Sequence, residues 1–490
     1  MTAIAPEIFK AYDIRGIVDK SLTPATAAAI GRALGSAARA KNIAAIVVGR
    51  DGRLSGPALV KALSQGISAS GVDVIDIGLA PTPVIYFAAH ELGTQSCVAV
   101  TGSHNPPDYN GFKMVLGGQT LYGEMIQDLL RRITSADFYS PPRSQTPLAA
   151  PHRGADVGLG RPGADFLKGH GKITTADVRQ AYLDRIVGDV KLARPMKLVV
   201  DCGNGVAGAF APELFRRMGC EVSELFCDVD GNFPNHHPDP SKPENLADVR
   251  RALRETDAEL GLAFDGDGDR LGVVTKDGEI IYPDRQLMLF AADVLSRNPG
   301  AQIIYDVKCS RWVAESIRYQ GGRPLMWNTG HALIKTKLKE TGAALAGEMS
   351  GHIFFQERWF GFDDGLYAGA RLLEIVSRWP DAAWPLQNLP NALSTPELNL
   401  KMQEGEPHAL VARLQKDGRF PTARELITID GVRAEYADGF GLARASNTTP
   451  VIVLRFEADN ATALARIQAE FKTALESVWP GLEVTYSHGH

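Results

Sequence analysis

Short apolar runs alternate with amphipathic patterns along the first hundred residues of the chain. Each apolar run ends in a polar or glycine-rich stretch, and the segments between the runs repeat apolar residues at helical spacing. Because strands and helices alternate, we expect βαβ units and a mostly parallel sheet with covered faces. The periodicity predicts strands at Ala45–Val48, Val72–Ile77 and Cys97–Val100, and helices at Gly56–Ser70 and Pro83–Leu92.

The same alternation returns twice further along the chain. A second α/β unit starts with the strand Lys197–Asp201, continues into a helix through Gly219 and closes with the strand Gly261–Phe264. A third unit runs from about Ile280 to a strand and loop around Ala346–His352. The C-terminal pattern is different and predicts a smaller α+β domain. Its predicted elements are strands at Leu426–Ile429 and Val451–Arg455 and a helix at Ala461–Val478.

The length of 490 residues exceeds what a single hydrophobic core supports, so the chain should divide into several domains. Residues 141–171 contain five prolines and six glycines in thirty-one positions, which predicts a mobile linker or surface loop. The predicted parts are α/β domains at 1–145, 173–279 and 280–389, a linker at 146–172 and a C-terminal domain at 390–490.

Composition excludes several classes of protein. The net charge of −5 offers no broad basic field for nucleic acid, although a local cluster of cations would suffice for small phosphorylated substrates. The first residues show no secretory signal pattern, and no apolar run is long enough to span a membrane. Five scattered cysteines without metal-ligand spacing predict core residues of a cytoplasmic protein.

The stretch Thr101–Pro106 carries the first candidate chemistry. It follows the apolar strand Cys97–Val100, and it places Ser103 between a glycine, expected to supply backbone freedom, and His104. A serine on a tight loop after a strand suits a nucleophile or a phosphate carrier. An ordinary turn would have a similar composition.

A second polar loop, Asp265–Arg270, follows the strand Leu260–Phe264. Its three aspartates alternate with glycines, and hard oxygen donors at this spacing predict a Mg²⁺ or Ca²⁺ site. An EF-hand is excluded, because Arg270 and Lys276 stand where that loop needs Gly and Glu. A phosphatase with an aspartate nucleophile remains an alternative at this point.

The glycine-rich turn Gly203–Gly208 follows a strand and matches a dinucleotide-binding pattern, with Asp228 about twenty residues on. An NAD-dependent dehydrogenase is therefore an alternative from another class. The other interpretation is structural, since glycines permit a tight turn between a strand and a helix.

Two further loops suit sugars and phosphates. Glu348, Ser350 and His352 alternate after an apolar run and would share one side of an extended segment, where they suit vicinal hydroxyls. The stretch Arg444–Pro450 combines a guanidinium, hydroxyls and an amide, which suits a phosphate monoester. Charge near such a site could come from five side chains that are individually typical of surface groups: Tyr12, Arg15, Lys113, Arg270 and His331.

Taken together, the loops TGSHNP, DGDGDR, GEMSGH and RASNTTP, in this order, resemble those of the α-D-phosphohexomutase family. The resemblance is closest to its bacterial bifunctional phosphomannomutase/phosphoglucomutase branch and covers nearly the whole chain, including AYDIRG and VVDCGNGVAG. It implies an α/β fold of four domains around a central cleft, three similar mixed α/β domains and a smaller C-terminal α+β domain. The GNGVAG turn is structural in this family, which removes the dehydrogenase hypothesis.

The resemblance also implies residue roles. Ser103 would carry the phosphoryl group as phosphoserine, with His104, Arg15, Lys113 and His331 at catalytic positions. The metal site would consist of Asp265, Asp267, Asp269 and an oxygen of phosphorylated Ser103. Substrate contacts would come from Tyr12, Arg270, Glu348, Ser350, His352, Arg444, Ser446, Asn447 and Thr448.

The expected reaction is reversible phosphoryl transfer between C1 and C6 of mannose and glucose phosphates through a 1,6-bisphosphate. Its expected cofactors are Mg²⁺ and, as activator, glucose 1,6-bisphosphate. A phosphoglucosamine mutase is the alternative, although that branch usually carries Gln where this chain has Met349, and SGT where it has SNT. We expect a cytoplasmic monomer or weak dimer that binds hexose phosphates and neither nucleic acid nor membranes.

Overall fold

A computed structural model describes residues 4–139, 170–447, 449–484 and 486. Within these residues the chain forms four separate β-sheets, each with its own helices. The chain divides into two compact units: one takes in residues 1–9 and 13–180, the other residues 10–12 and 181–490. Most of the predicted linker at 146–172 lies outside the described residues.

The first unit is built on a mixed sheet in the order β1-β5-β4-β2-β3-β7, with β6 paired to β5. Its strands are β1 (Ile14–Ile17), β2 (Ala45–Arg50), β3 (Asp73–Leu79), β4 (Cys97–Val100), β5 (Tyr109–Leu116), β6 (Gln119–Thr120) and β7 (Ile173–Thr175), and its helices are α1 (Pro24–Ala40), α2 (Gly56–Ala69), α3 (Thr82–Glu91) and α4 (Glu124–Thr134). The apolar faces of α1, α2 and α4 cover one side of this sheet and form its core.

The first sheet is less parallel than predicted. Strands β2, β3, β4 and β7 are mutually parallel, whereas β5 runs antiparallel to both β1 and β4. The reason is the short loop 101–108 between β4 and β5, since a parallel return needs a crossover of a dozen residues or more. Strand β7 pairs with β3, so it lies in the first sheet and not in the domain at 173–279 where the sequence placed it.

The second sheet follows the order β12-β11-β10-β8-β9. Its strands are β8 (Lys197–Asp201), β9 (Glu221–Leu225), β10 (Leu260–Phe264), β11 (Leu271–Thr275) and β12 (Ile280–Ile281), and its helices are α5 (Arg179–Asp189), α6 (Ala211–Arg217) and α7 (Ala247–Glu255). The helix predicted after β8 is interrupted, because a 3₁₀ turn over Val206–Ala209 precedes the short α6. Strands β8 and β10 are parallel, so the loops that follow them emerge at the same edge.

The third sheet follows the order β14-β13-β15-β16. Its strands are β13 (Gln302–Asp306), β14 (Arg323–Trp327), β15 (Leu345–Gly347) and β16 (Ile353–Phe355), and its helices are α8 (Pro283–Arg297), α9 (Arg311–Tyr319), α10 (His331–Thr341), α11 (Gly365–Val376) and α12 (Trp384–Gln387). Strand β13 is parallel to both β14 and β15. The loops after these three strands therefore meet at one edge of the sheet.

The C-terminal sheet is antiparallel, in the order β17-β22-β21-β20-β19, with β18 paired to β22. Its elements are β17 (Leu393–Ser394), β18 (Leu398–Lys401), α13 (Glu406–Asp417), β19 (Glu425–Ile427), β20 (Val432–Glu435), β21 (Gly439–Ala445), β22 (Val451–Ala458) and α14 (Ala461–Val478). Helix α14 begins as predicted, because the Asn460 side chain accepts the Ala463 N–H at 2.9 Å and caps it.

Helix α11 begins at a buried carboxyl group that should make stability depend on pH. Asp364 accepts the N–H of Tyr367 at 2.9 Å and the hydroxyl of Tyr182 at 2.9 Å. Burial raises the pKa of Asp364 to about 7, although both hydrogen bonds oppose the shift. Between pH 4 and pH 7 the unfolded chain therefore releases this proton before the folded protein does, which lowers the free energy of unfolding as the pH rises.

We expect Asp364→Asn to remove this fall in the free energy of unfolding with rising pH. Relative to the original protein, the free energy of unfolding of the variant should rise by about 3 kcal/mol between pH 4 and pH 7. Urea denaturation at several pH values measures it. Asp293→Asn is the control of opposite sign. Burial would raise the pKa of Asp293, but Arg297 and Arg371 hold it at about 2. The Asp293 carboxylate therefore adds to the free energy of unfolding above pH 4, and this stabilisation is lost as the pH falls towards 2. If the free energies of unfolding of the two variants changed with pH in the same way, the raised pKa of Asp364 would be contradicted.

Two predictions from composition can be compared with the structure. None of the helices in the described ranges is both long and apolar enough to cross a membrane. The five cysteines are free thiols, four of them buried and Cys227 half-buried.

Candidate functional site

The Ser103 loop joins β4 to β5 at the carboxyl end of β4. Thr101 N–H donates to the carbonyl of Gly111 at 3.0 Å, and Asn105 N–H donates to that of Gly102 at 2.9 Å, which closes a turn around the serine. Ser103 has a φ of +50°, a left-handed conformation that costs a non-glycine residue about 1–2 kcal/mol. Its hydroxyl lies 3.2 Å from Nδ1 of His104.

Gly102 has a different role from the predicted one. The left-handed residue is Ser103, and the glycine is needed because a Cβ at position 102 would lie 2.3 Å from Nε of Arg53. The absence of a side chain lets a buried guanidinium approach the loop. The sequence pattern could not show this contact, since Arg53 lies about fifty residues earlier in the chain.

Two predicted cations accompany the serine in the first unit. Arg15 on β1 pairs with Asp13 at 2.5 Å and also donates to the side chain of Asn105, which follows the serine in its loop. Lys113 lies on β5 opposite Ala99 and is buried, which differs from the surface location typical of a lysine. Arg15 is therefore held on β1, and Lys113 on the neighbouring strand β5, which follows the loop.

The aspartate loop joins β10 to β11 in the second unit. Asp265, Asp267 and Asp269 are fully buried, and one carboxylate oxygen of each lies within 4.8 Å of the others. Gly268 has a φ of +76°, and its N–H donates to the carbonyl of Asp265, which folds the loop tightly enough to bring the three together. Three buried carboxylates this close repel one another, so the donor set fits a hard divalent cation.

The glycine-rich turn after β8 packs against the aspartate loop. Val206 N–H donates to the carbonyl of Gly266 at 3.1 Å, and a Cβ at Gly205 would lie 2.9 Å from Cα of Gly266. This contact gives the glycine a packing role next to the aspartates. The neighbouring His236 places Nε2 3.0 Å from a carboxylate oxygen of Asp201.

The segment 348–352 is a tight turn between β15 and β16, not the extended stretch that was predicted. Glu348 N–H donates to the carbonyl of His352 at 2.9 Å, and Gly351 N–H donates to that of Glu348 at 3.0 Å. The three predicted side chains still converge, because the turn folds them onto one another. Nδ1 of His352 lies 3.0 Å from the Ser350 hydroxyl and 3.2 Å from the Glu348 carboxylate.

Burial and charge act in opposite directions on this turn. Burial would raise the pKa of Glu348, but the hydrogen bond and charge of His352 and the Gly330 N–H at 2.6 Å hold it below its usual value. Burial would lower the pKa of His352, but the charge of Asp269 and the hydrogen bonds to Asp269 and Glu348 raise it to about 9. His352 also contacts Nε of Arg270 at 3.3 Å, which connects the turn to the aspartate loop.

The turn at Thr329 and Gly330, which follows β14, joins several candidate residues. The Tyr12 hydroxyl donates to the carbonyl of Thr329 at 2.8 Å, and the ring of Tyr12 meets the His331 ring edge-on at a centroid distance of 6.3 Å. The hydroxyl of Tyr12 also accepts a hydrogen bond from the Asn447 side chain. Sequence alone indicated His331 here but not the turn that positions it.

Arg444 lies near the end of β21 with its guanidinium largely buried. Its Nε donates to a carboxylate oxygen of Asp430 at 3.0 Å, and the same oxygen accepts the N–H of Thr329 at 3.0 Å. Ser446 follows it, and its hydroxyl accepts the Thr449 N–H at 3.3 Å. The predicted contact residue Thr448 lies outside the described residues.

Sequence reasoning missed a buried lysine at this edge of the third sheet. Lys308 Nζ lies 2.6 Å from a carboxylate oxygen of Glu397. Burial lowers the pKa of Lys308, but the charges of Glu397 and Asp306 outweigh that effect and raise it. Asp306 itself accepts the Thr329 hydroxyl at 2.8 Å. The other loops were found by looking for polar residues at the end of an apolar strand. The same rule applies to Asp306, which ends β13, and to Lys308 two residues further on.

Three α/β sheets are followed by an antiparallel C-terminal sheet, and most of the candidate residues lie on loops at the ends of their strands. This order of domains can be compared with known families. Family models confirm this domain by domain. The phosphoglucomutase/phosphomannomutase α/β/α domains I, II and III match residues 6–140, 180–278 and 282–390, and the C-terminal domain of the same family matches residues 397–474. The chain belongs to the phosphoglucomutase/phosphomannomutase family.

Similar proteins match nearly the whole chain. A phosphoglucomutase of Neisseria gonorrhoeae is 55% identical over 485 residues, which is 98% of this chain and 100% of that protein. A phosphomannomutase/phosphoglucomutase of Pseudomonas aeruginosa is 53% identical over 490 residues, or 99% and 100% of the two chains. The crystal structure of a phosphoglucomutase/phosphomannomutase family protein from Burkholderia thailandensis matches with a TM-score of 0.89 and 58% identity, over 98% of this chain and 99% of that one.

Proposed function

We propose that this protein transfers a phosphoryl group reversibly between C1 and C6 of mannose and glucose phosphates. The transfer would proceed through phosphorylated Ser103 and a hexose 1,6-bisphosphate. The observation that carries the proposal is the Ser103 loop, in which a strained serine is held at the end of β4 with its hydroxyl 3.2 Å from Nδ1 of His104. The names of the two bacterial relatives support the same substrates.

The proposed metal is Mg²⁺, bound by Asp265, Asp267, Asp269 and an oxygen of phosphorylated Ser103. Support comes from the oxygen donor set, three carboxyl groups that are fully buried and lie within 4.8 Å of one another. When bound, the ion would neutralise charge that develops on the transferring phosphoryl group. Glucose 1,6-bisphosphate is the proposed activator, because it would phosphorylate Ser103 in an enzyme that has lost its phosphoryl group.

Proton movement accompanies each half of the reaction. In the first half the bond from phosphorus to the Ser103 oxygen breaks, a bond from phosphorus to a sugar oxygen forms, and the sugar hydroxyl loses its proton. His104, whose Nδ1 lies 3.2 Å from the Ser103 oxygen, would return a proton to that oxygen. His331 and Lys113 are the two groups we propose for the proton of the sugar hydroxyl. Arg15 would add positive charge for the phosphoryl group, and Lys113 would do so in its protonated form.

The sugar must be held in two opposite orientations, so its contacts should be hydroxyls common to both. Glu348 and Ser350 converge with His352 on one turn and offer such contacts. Arg270, which contacts His352 at 3.3 Å, would add a cation beside them.

The phosphate that is not transferred would bind at the C-terminal domain. Arg444, Ser446, Asn447 and Thr448 are the proposed contacts. Support comes from Arg444, whose Nε is engaged by Asp430, so that its two terminal nitrogens are the atoms suited to a bidentate contact. Asn447 and Tyr12 are hydrogen-bonded to each other and would lie beside that phosphate.

The specificity experiment compares kcat/KM for glucose 1-phosphate, mannose 1-phosphate and glucosamine 1-phosphate, with Mg²⁺ and a trace of glucose 1,6-bisphosphate. We expect the first two values to agree within about tenfold and the third to be lower by about 100-fold, because a pocket built for hydroxyl groups disfavours an ammonium group. A preference for glucosamine 1-phosphate would establish the alternative, a phosphoglucosamine mutase, and show that Met349 does not select against it.

The proposal includes a cytoplasmic monomer or weak dimer that binds neither nucleic acid nor membranes. The free cysteines and the net charge of −5 support these assignments. Sedimentation at several protein concentrations would measure the oligomeric state.

A further inference from the structure

A buried arginine contacts the Ser103 loop from the carboxyl end of the neighbouring strand β2. The side chain of Arg53 is fully buried, and a guanidinium has five N–H groups. Each of the five has an acceptor. Nε donates to Asp51 at 3.2 Å, and the terminal nitrogens donate to four main-chain carbonyls, those of Ser103, Asn105 and Pro106 in the loop and that of Tyr109 at the start of β5.

Asp51 binds the other side of the same loop. One of its carboxylate oxygens accepts the Thr101 hydroxyl at 2.8 Å and the Gly102 N–H at 3.1 Å, as well as Nε of Arg53. The Thr101 hydroxyl oxygen in turn accepts the Ser103 N–H at 2.7 Å. A continuous chain of hydrogen bonds therefore runs from Asp51 through Thr101 to the serine.

Asp51 and Arg53 together hold both main-chain polar groups of Ser103, its N–H and its carbonyl. Its N–H is bound through Thr101 and Asp51, and its carbonyl accepts from Arg53 at 2.8 Å. With both groups bound, the serine stays in its left-handed conformation, and rotation about its Cα–Cβ bond is the freedom left to its hydroxyl.

We propose that Asp51 and Arg53 are positioning residues that fix the Ser103 oxygen for phosphoryl transfer. This inference rests on the proposed function of Ser103 and adds residues that act through its main chain. Phosphoryl transfer depends mainly on alignment and charge, so a loop that drifts by about 1 Å loses rate by about 100-fold. The sugar and phosphate contacts proposed above lie on other loops, so substrate affinity should not depend on this pair.

Lysine cannot replace Arg53 in this role. Its single ammonium group has three donors at one point and cannot reach carbonyls on both sides of the loop. Arg53→Lys keeps the positive charge beside Asp51 but releases the loop. Thr101→Val interrupts the chain from Asp51 to Ser103 with a side chain of similar shape, whereas Thr101→Ser keeps the hydroxyl. Arg50→Lys is the matched control, since Arg50 ends β2 and its side chain donates to the Asp51 carbonyl at 3.2 Å.

The experiment measures the single-turnover rate at which glucose 1,6-bisphosphate phosphorylates Ser103, followed as a mass increase, together with kcat, KM and the melting temperature. For Arg53→Lys and Thr101→Val we expect the phosphorylation rate and kcat to fall by about 100-fold, with KM changed by less than about threefold. Thr101→Ser and Arg50→Lys should phosphorylate at nearly the original rate.

The proposal is overturned if Arg53→Lys and Thr101→Val are phosphorylated at the original rate, even when their melting temperatures are lower. If Arg53→Lys does not fold, the comparison of Thr101→Val with Thr101→Ser decides, and equal rates for these two overturn the proposal. Failure of the proposed function would look different, because Ser103→Ala would then retain turnover and the unsubstituted protein would gain no phosphoryl group at Ser103.

Discussion

Replacement of Ser103 by alanine is expected to lower kcat by about 10⁴-fold or more, because the transferring phosphoryl group then has no acceptor on the protein. The change removes one oxygen from a loop whose main-chain hydrogen bonds do not involve that atom, so the fold should persist. Turnover of glucose 1-phosphate in the presence of Mg²⁺ and glucose 1,6-bisphosphate measures the loss. Ser36→Ala is the matched control: Ser36 is also buried, and its hydroxyl donates to the carbonyl of Arg32 within α1.

Ser103→Ala and Ser36→Ala also distinguish a phosphoserine enzyme from a phosphatase that uses an aspartate nucleophile. Incubation with labelled glucose 1,6-bisphosphate should label the unsubstituted protein and Ser36→Ala, but not Ser103→Ala. The label should survive acid and hydroxylamine, since a phosphate ester of serine resists both. A label that hydroxylamine removes, together with turnover by Ser103→Ala, would place the phosphoryl group on a carboxylate such as Asp265.

Substitution of Asp267 by asparagine is expected to weaken Mg²⁺ binding and kcat by about 100-fold or more, because one of three buried charges around the ion is lost. In the metal-free protein, the same substitution should be stabilising. With EDTA the variant should melt at a higher temperature than the original, since the substitution relieves repulsion among three carboxylates that are fully buried within 4.8 Å.

Thermal melts in EDTA and in increasing Mg²⁺ test both effects at once. The original protein should gain stability with Mg²⁺ as binding to the folded state predicts, and the variant should gain little at the same concentrations. Asp293→Asn is the control, because Asp293 pairs with Arg297 and Arg371 away from the aspartate loop. It should lower the melting temperature with and without Mg²⁺ and leave the Mg²⁺-dependent gain unchanged. An undiminished gain in Asp267→Asn would show that the ion binds elsewhere.

Local patterns were sufficient for many elements. The strands Cys97–Val100 and Lys197–Asp201 and the helix Ala461–Val478 have the predicted bounds. Each is an apolar or amphipathic run with turn or capping residues at its ends, so nearby residues determine where it starts and stops. The position of β7 could not be predicted in this way, since its pairing with β3 joins segments about a hundred residues apart.

In the candidate site, too, some features follow from local sequence patterns and others from contacts between distant residues. The rule that polar residues directly following an apolar strand share one edge of a sheet indicated Ser103, Asp265 and Glu348 as candidates. The residues that hold them were not identified. Asp51 and Arg53 resemble an ordinary polar turn after β2, and Asp430 resembles an ordinary hairpin residue, until the fold brings each beside its partner.

By itself, the sequence determined the class of fold, the family and the loops that carry candidate chemistry, because these depend on short-range periodicity and on motifs in a set order. The tertiary structure decided which groups position those loops. It also decided the shape of the 348–352 turn, the need for glycine at position 102 and the burial of Lys113 and Lys308. These features depend on hydrogen bonds and packing between residues that are distant in the chain, and a local pattern contains no record of such contacts.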